Sequence, residues 1–429
     1  MNAGSFRIHT LGCKINQYES SRLRDKLLAL GYREAAPGEQ AALVVVNSCA
    51  VTGKAVADTR RLARKAAAES PRARIILTGC AASAAVGELV KNPPPGEIVA
   101  GRAEAVAALL GAPLPGEPAG PLGRAGLAAR ARSRAVLKVQ DGCRAACAFC
   151  IVPRARGGPS SRPAADVVAE AESLLNAGFA EIVVSGVNLG QYAAPDCPDF
   201  WDLLAALDNA LAPRYAGRAS IRLSSLDPGL LDAKALRVLH GAGLVLPHLH
   251  LSLQSGDART LARMRRTNYT PEGVTAWLEK YRAVRPLFAL GADLLTGFPG
   301  ETEAEFAATL AYANALPLSY AHVFPFSSRP GTLAASMPEQ VPAPVAKERA
   351  AALRQVAARK KKAFAKTVAA LPRLHVVAEE GESPQGRCEY YLECLIASEP
   401  GTEPPRPGER VAVVPAGVKG ATILARRLP

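Results

Sequence analysis

No uncharged apolar run in this 429-residue chain approaches the roughly 18 residues that a membrane span needs. The opening, MNAGSFRIHTLGCK, has neither the basic n-region nor the apolar h-region of a secretory signal. Low-complexity tracts and solenoid repeats are also missing. These absences predict a soluble cytoplasmic protein with no membrane partner. Acidic residues are outnumbered, 38 against 52 Lys and Arg, which gives a formal net charge of +14. That sign favours a polyanionic partner such as nucleic acid. Hydrophobic residues at 49% and charged residues at 21% exclude global disorder and leave material for a sizeable core. The length predicts two to four domains at roughly 100–200 residues each.

Nine cysteines, an odd number, argue against a disulfide framework in a chain without an export signal, and point to metal ligation plus a few buried thiols. Three of them, Cys13, Cys49 and Cys80, each close a short strand-like run: SFRIHTLGC, ALVVVNSC and RIILTGC. Helical patterns follow the first two, so the opening reads as βαβ units with a parallel sheet. Ligands of such sheets bind outside the carboxyl ends of the strands, where all three cysteines fall. Taken singly, each would read as a buried small hydrophobe. Residues 111–130, rich in Gly, Pro and Ala, read as a linker or ordered connector. Six strand patterns follow: AVLKVQ, EIVVSG, ASIRLSS, PHLHLSLQ, LFALGADLLTG and SYAHVFPF. With helical patterns between several of them, they suit a partial (β/α) barrel whose chemistry sits at the C-terminal strand ends. A basic helix is predicted over 345–370. After Pro372, LHVVAE, EYYLECLIA, RVAVVPA and ATILARR predict a small antiparallel β-barrel. The fold class is thus α/β, with an N-terminal parallel-sheet domain over 1–112, a partial (β/α)6 barrel over 129–360 and a β-barrel over 371–429.

The strongest chemical signal is Cys143-Arg144-Ala145-Ala146-Cys147-Ala148-Phe149-Cys150, a C-x3-C-x2-C loop directly after a predicted strand. Three thiolates on one loop can hold three irons of a [4Fe–4S] cluster, whereas an electron-carrier cluster normally uses four. The remaining iron is then open to a substrate or cofactor, by the logic that leaves catalytic metals an open position. A structural zinc is the alternative, but no His or Cys stands adjacent as its fourth ligand.

This loop resembles the signature of radical S-adenosylmethionine (SAM) enzymes. The resemblance implies that the methionyl amine and carboxylate of SAM bind the open iron, and that a 5′-deoxyadenosyl radical abstracts a substrate hydrogen. TLGCKINQYES, VVVNSCAVTGKA and LTGCAA resemble the N-terminal domain of methylthiotransferases, which implies a second [4Fe–4S] cluster on Cys13, Cys49 and Cys80. VQDGCRAACAFCIVPRARG, SGVNLGQY, RLSSLDP, HLHLSLQSGD, LARMRR, GADLLTGFPGETEAEF and HVFPFSSRPGT resemble further blocks of that family, across roughly residues 7–335. The β-rich tail stands where the family carries a TRAM domain, an RNA-binding β-barrel. The opening and the HVFPFSSRPGT block are most similar to the branch that converts N6-threonylcarbamoyladenosine, next to the anticodon in tRNA, into its 2-methylthio derivative. That implies two clusters and SAM as cofactors. The partners implied are the tRNA anticodon loop, an electron donor such as a flavodoxin or ferredoxin, and a sulfur donor. The related branches, acting on isopentenyladenosine in tRNA or on a ribosomal-protein aspartate, are the alternatives. A non-catalytic RNA-binding Fe–S protein is the alternative of another class. The sequence departs from the family pattern at Ala50, Arg144, Ala145 and Arg154, none of which is a ligand.

Beyond the six cysteines, residues at the barrel strand ends are candidates for SAM contact. Gly186, Asn188, Gly190 and Tyr192 follow the second strand, where the other reading is an ordinary turn. Gln254 and Ser255 end the fourth, where neither suits a core, and Gly297 and Gly300 follow the fifth. His248 and His250, alternating with apolar residues, read as core or layer histidines, and Cys197, Cys388 and Cys394 as structural. Nine basic residues stand against Asp141 in 121–162, and eight against Glu348 in 346–366. Both runs read as phosphate-backbone contacts.

Overall fold

The computed structural model describes residues 4–101, 103–111, 133–397 and 403–428. The connector read at 111–130 lies outside the described residues from 112 onward. The chain divides into two compact units. One comprises residues 1–129, 140–161 and 327–336, and the other 130–139, 162–326 and 337–429.

The first unit is built on a parallel sheet. Its elements are β1 (Ser5–Thr10), α1 (Lys14–Ala29), β2 (Arg33–Glu34), β3 (Leu43–Ser48), α2 (Gly53–Glu69), β4 (Arg74–Gly79), α3 (Cys80–Ala84), α4 (Val86–Val90), β5 (Glu97–Ile98) and α5 (Ala103–Leu109). The strand order is β2-β1-β3-β4-β5, all parallel. The central strand, LVVVNS, is buried at every position, which is why it reads as an unbroken apolar run. Its faces serve two cores. Leu43 and Val45 pack with Phe6, Leu23, Leu27 and Ile76, and Val44 and Val46 with Ala63, Ala66, Ile75 and Leu77. Thr52 caps α2 by accepting from Ala55 N at 3.1 Å.

The second unit opens with β6 (Ala135–Lys138). The chain then leaves through β7 (Gln140–Asp141), α6 (Val152–Arg156) and β8 (Ser160–Ser161), which belong to the first unit. It returns in α7 (Ala164–Asn176), β9 (Glu181–Ser185), α8 (Phe200–Tyr215), β10 (Ser220–Leu223), α9 (Ala233–Gly241), β11 (His248–Gln254), α10 (Ala258–Arg263), α11 (Pro271–Val284), β12 (Ala289–Thr296), α12 (Glu303–Ala315) and β13 (Tyr320–Pro325). β6-β9-β10 and β11-β12-β13 are two parallel three-stranded sheets. The parallel bridges Ile221–Val245 and Leu226–Leu251 join them. All six predicted barrel strands are present. The long helix α13 (Ala343–Ala369) follows.

A closed barrel completes this unit: β14 (Leu374–Glu379), β15 (Gln385–Cys388), β16 (Glu393–Ala397), β17 (Arg410–Lys419) and β18 (Thr422–Arg427), in the order β14-β15-β16-β18-β17. One pairing, β16 with β18, is parallel. Ala365 and Val368 of α13 are fully buried in the same core as Val376, Cys388, Cys394 and Val413, so the helix end closes one mouth of this barrel. No helix among the described residues is long and apolar enough to cross a membrane.

Candidate active site

All six predicted ligand cysteines lie in the first unit. Cys13 is the residue before α1, Cys49 follows β3 and Cys80 begins α3 after β4. Adjacent parallel strands thus deliver the three thiols to one edge of the sheet. Cys49 and Cys80 are buried and Cys13 is exposed. Gly12, at φ +93°, makes this convergence possible: a Cβ there would stand 2.9 Å from Cys49 Cβ and 3.0 Å from its sulfur. Asn16, one turn into α1, ties the strand ends together. Its amide nitrogen donates to Leu11 O at 2.8 Å and Ser48 O at 2.9 Å.

The electrostatics come from two arginines. Arg156, from the end of α6, donates to Glu19 at 2.8 Å, Asp141 at 3.1 Å and Asn16 Oδ1 at 2.5 Å. Arg329 is buried and pairs with Glu88 at 2.5 Å. Burial pushes the Cys80 thiol up to about 11, and Arg156 works against that rise. Burial likewise raises Cys49, opposed by Arg156 and Arg329. Two buried thiols whose pKa burial raises, with an exposed third and buried cations beside them, form a pocket suited to thiolates bound to a metal.

The second trio sits on a tightly closed loop. β7 and β8 pair antiparallel at its base, and Cys143 N donates to Gly157 O at 3.0 Å. Gly142, at φ +69°, is obligatory, because a Cβ would lie 1.9 Å from Gly158 O. Ala145 N points at Cys143 Sγ at 3.3 Å and Cys150 N at Cys147 O at 3.1 Å. Amides aimed at sulfur are the hydrogen bonds that tune iron–sulfur centres. Among the described residues, the trio of ligand atoms all within 4.8 Å of one another is His250, Asp293 and His322, and neither cysteine trio is drawn in so tightly. One tetrahedral zinc at about 2.3 Å from each sulfur would hold sulfurs roughly 3.8 Å apart. The all-thiol donor sets, three cysteines each, fit a cluster. Ile151 of this loop packs in one core with Ala50, Val56, Cys80 and Leu89, so the unit holds both trios on a shared apolar base.

The remaining candidates fall in the second unit. Gly186 follows β9, and Asn188 accepts from Gly190 N at 3.0 Å. Tyr192 is buried, its hydroxyl donating to Arg162 O at 2.7 Å. Gln254 ends β11 at φ +64°. Ser255 is fully buried, 2.9 Å from Thr309 Oγ1 and accepting from Asp257 N at 3.1 Å, so its hydroxyl holds the turn. Gly297 N donates to Glu301 Oε2 at 2.7 Å. Burial raises the Glu301 carboxyl, and that amide and Arg349 oppose the rise.

His248 and His250 are buried, as expected, but they belong to a polar chain that sequence reasoning missed. The Tyr320 hydroxyl lies 2.8 Å from His248 Nε2 and 2.9 Å from His250 Nδ1. His250 Nε2 is 3.0 Å from Asp293 Oδ1, which His322 Nδ1 approaches at 3.3 Å. Burial works to raise the Asp293 carboxyl, and the hydrogen bonds from both histidines outweigh it and hold it well below the usual range. The charge runs also change meaning. Arg134, Arg156 and Arg162 of the first run are ion-paired, Lys138 is buried, and Arg124, Arg130 and Arg132 lie outside the described residues. In the second run Arg349 is buried against Glu301. These four arginines brace the fold.

Comparison with known proteins bears on this arrangement. Residues 5–101 match the model described as uncharacterized protein family UPF0004, and residues 137–313 that of the radical SAM superfamily. The chain is 35% identical to the threonylcarbamoyladenosine tRNA methylthiotransferase MtaB of Bacillus subtilis, over 80% of this chain and 77% of that one. It is 34% identical to the tRNA-2-methylthio-N(6)-dimethylallyladenosine synthase of Sphingopyxis alaskensis, over 84% and 83%. Among solved structures it shares its fold with the radical SAM methyltransferase TsrM of Kitasatospora setae, at 16% identity and a TM-score of 0.57, with 77% of each chain covered.

Proposed function

The chain belongs to the radical SAM methylthiotransferase family, and we propose that it converts N6-threonylcarbamoyladenosine, 3′ to the anticodon of tRNA, into its 2-methylthio derivative. The observation that carries the substrate is the set of relatives so named, 31–35% identical over 80–83% of this chain. A second reading, the dimethylallyladenosine substrate, is favoured by relatives of that name at 33–36% identity.

Cys143, Cys147 and Cys150 would hold one [4Fe–4S] cluster with an iron left for SAM, and Cys13, Cys49 and Cys80 a second. When bound, the clusters and SAM supply radical chemistry at a carbon that is neither acidic nor provided with a leaving group. The chain's own residues bind and orient. The loop closed at Gly142 fixes one trio, and Asn16 and Gly12 fix the other. Arg156 and Arg329 offset the negative charge of the ligated sulfurs. Gly186, Asn188, Gln254 and Gly297, at strand ends of the barrel, are our candidates for SAM contact, with Ser255 holding the turn beside Gln254. We place the enzyme in the cytoplasm, served by a flavodoxin- or ferredoxin-type electron donor and a separate sulfur donor.

The test is nucleoside analysis, by mass spectrometry, of tRNA from a strain lacking the gene and from the same strain complemented. Restoration of 2-methylthio-N6-threonylcarbamoyladenosine is expected. Restoration of the isopentenyl derivative alone would overturn the substrate in favour of the second reading. In the reconstituted protein we expect about eight irons per chain, four per cluster. Changing Cys143, Cys147 and Cys150 to Ala should remove about half of them and abolish SAM cleavage. The same change at Cys13, Cys49 and Cys80 should preserve SAM cleavage and stop sulfur insertion. Methylthio product from the latter variant would refute the second-cluster role.

A further inference from the structure

A cavity of about 390 Å³ opens in the second unit, where β13 and α13 meet the β15–β16 turn. Arg354 and Lys361 come from α13, Arg387 and Tyr391 from the C-terminal barrel, and Tyr320 and His322 from β13. The other walls are three alanines, Ala321, Ala357 and Ala358, which leave the space open. No carboxylate lines it.

Three cations facing one cavity without an anion repel one another, and walls of low dielectric sharpen the field between them. Arg387 is partly compensated, with its Nε 3.5 Å from Glu379, a carboxylate that Arg134 shares. Arg354 spends one nitrogen on Val323 O at 2.8 Å. Neither Arg354 nor Lys361 makes an ion pair among the described residues. The nearby carboxylate of Asp293 is turned to His250 and His322 and is not part of the wall. A bound cation would add to the repulsion, whereas an oxyanion would relieve it. The rings offer a complementary feature. Tyr320 and Tyr391 lie with centroids 5.3 Å apart, and Arg387 stacks over Tyr391 at 4.9 Å. Flat faces beside cations are the equipment that binds unstacked nucleotides. The volume lies within the range of ligand pockets, roughly 300–1,000 Å³.

We propose that this cavity binds an oxyanion of the tRNA substrate, held by Arg354, Lys361 and Arg387, with the rings of Tyr320, His322 and Tyr391 receiving the planar group attached to it. The proposal rests on tRNA being the substrate. Two parts of that molecule carry the required chemistry: a backbone phosphodiester and the carboxylate of the threonylcarbamoyl group.

The test measures binding of the full-length, cluster-loaded protein and its R354Q/K361Q variant to two tRNAs, across a salt series. One tRNA carries threonylcarbamoyl on the substrate adenosine and the other an unmodified adenosine. A melting curve verifies that the variant is folded. A loss of about tenfold or more on both tRNAs, with the log–log salt slope reduced by about two, supports the proposal and identifies a phosphodiester. A loss confined to the threonylcarbamoyl tRNA supports it and identifies the carboxylate. The charge-preserving variant R354K/K361R should bind within a few-fold of the parent if a phosphodiester is held. Unchanged affinity for both tRNAs at every salt concentration, in a folded R354Q/K361Q protein, would overturn the proposal. Failure of the substrate assignment reads out separately, as a parent protein that binds the modified tRNA without producing its methylthio derivative.

Discussion

Replacing Arg156 with Met tests whether the cysteine-bearing unit depends on one buried charge. The Arg156 side chain is 5% exposed, and its partners Glu19 and Asp141 are 0% and 3% exposed. At an effective dielectric of about 20, a pair of unit charges 4 Å apart gains about 4 kcal/mol. Removing the ions from water offsets much of that gain. The pair is therefore nearly neutral when intact, whereas removing one member strands the other, at about 3–5 kcal/mol. R156M leaves two carboxylates and the Asn16 carbonyl oxygen without their shared donor, so the upper part of that range applies. At about 2–4 °C per kcal/mol for a unit of this size, the melting transition of the first unit should fall by roughly 10–20 °C. The assay is calorimetry of metal-free protein, with hydrogen exchange to assign the transition to residues 5–101. The neutralised variant R156M/E19Q/D141N should recover most of the loss, because no buried charge is then left alone. A single variant within about 1 kcal/mol of the parent, or a triple variant less stable than R156M, would refute the reasoning.

Two further outcomes follow from the same kind of argument. G142A forces a Cβ to within 1.9 Å of Gly158 O and strains a φ of +69°, so it should remove the iron held by the Cys143 loop and spare the other cluster; equal loss of both clusters by iron analysis and Mössbauer spectroscopy would contradict this. The Arg263 guanidinium, at 2.6 Å, holds the Glu305 carboxyl down at about 2, against an ordinary 4.5. A depressed folded-state pKa contributes stability that is fully present above the unfolded value and is lost as pH falls from about 4.5 to 2. Acid unfolding curves of E305Q should be flatter over that window, and parallel curves would remove the ion pair from the account.

Parts of this architecture are legible because local chemistry and final environment agree. LVVVNS reads as a buried parallel strand and is one, and the six barrel strands stand where apolar runs predict them. QGRC at Gln385–Cys388 carries no such pattern and was not expected as a strand, since its pairing comes from β14 and β16 on either side. Charge was the harder property to read. Arg156 looks like one cation in a basic run, and only the fold brings Glu19, 137 positions away, to within 2.8 Å. Asp293 is concealed in the apolar stretch LFALGADLLTG, and only the strand register sets it opposite His322 and two residues beyond Gly291, the partner of His250. The six cysteines were visible as types and spacings, and their gathering into one unit is a property of the sheet order.

The terminal barrel cannot be exchanged like an independent cassette. Tyr391, at φ +61°, reaches from it into the β/α barrel, with ring centroids 4.8 Å from His248 and 5.3 Å from Tyr320. Arg222, buried on β10, donates to the carbonyls of Cys388 and Glu389 at 3.1 and 3.2 Å and lies 5.1 Å from the Tyr391 ring. Truncation after α13 would thus uncap a hydrophobic helix end and leave a buried guanidinium facing solvent. Chimeras between relatives should fold only when the β15–β16 turn is inherited together with the strands it plugs, so these two segments of chain are expected to be transplanted as one cargo.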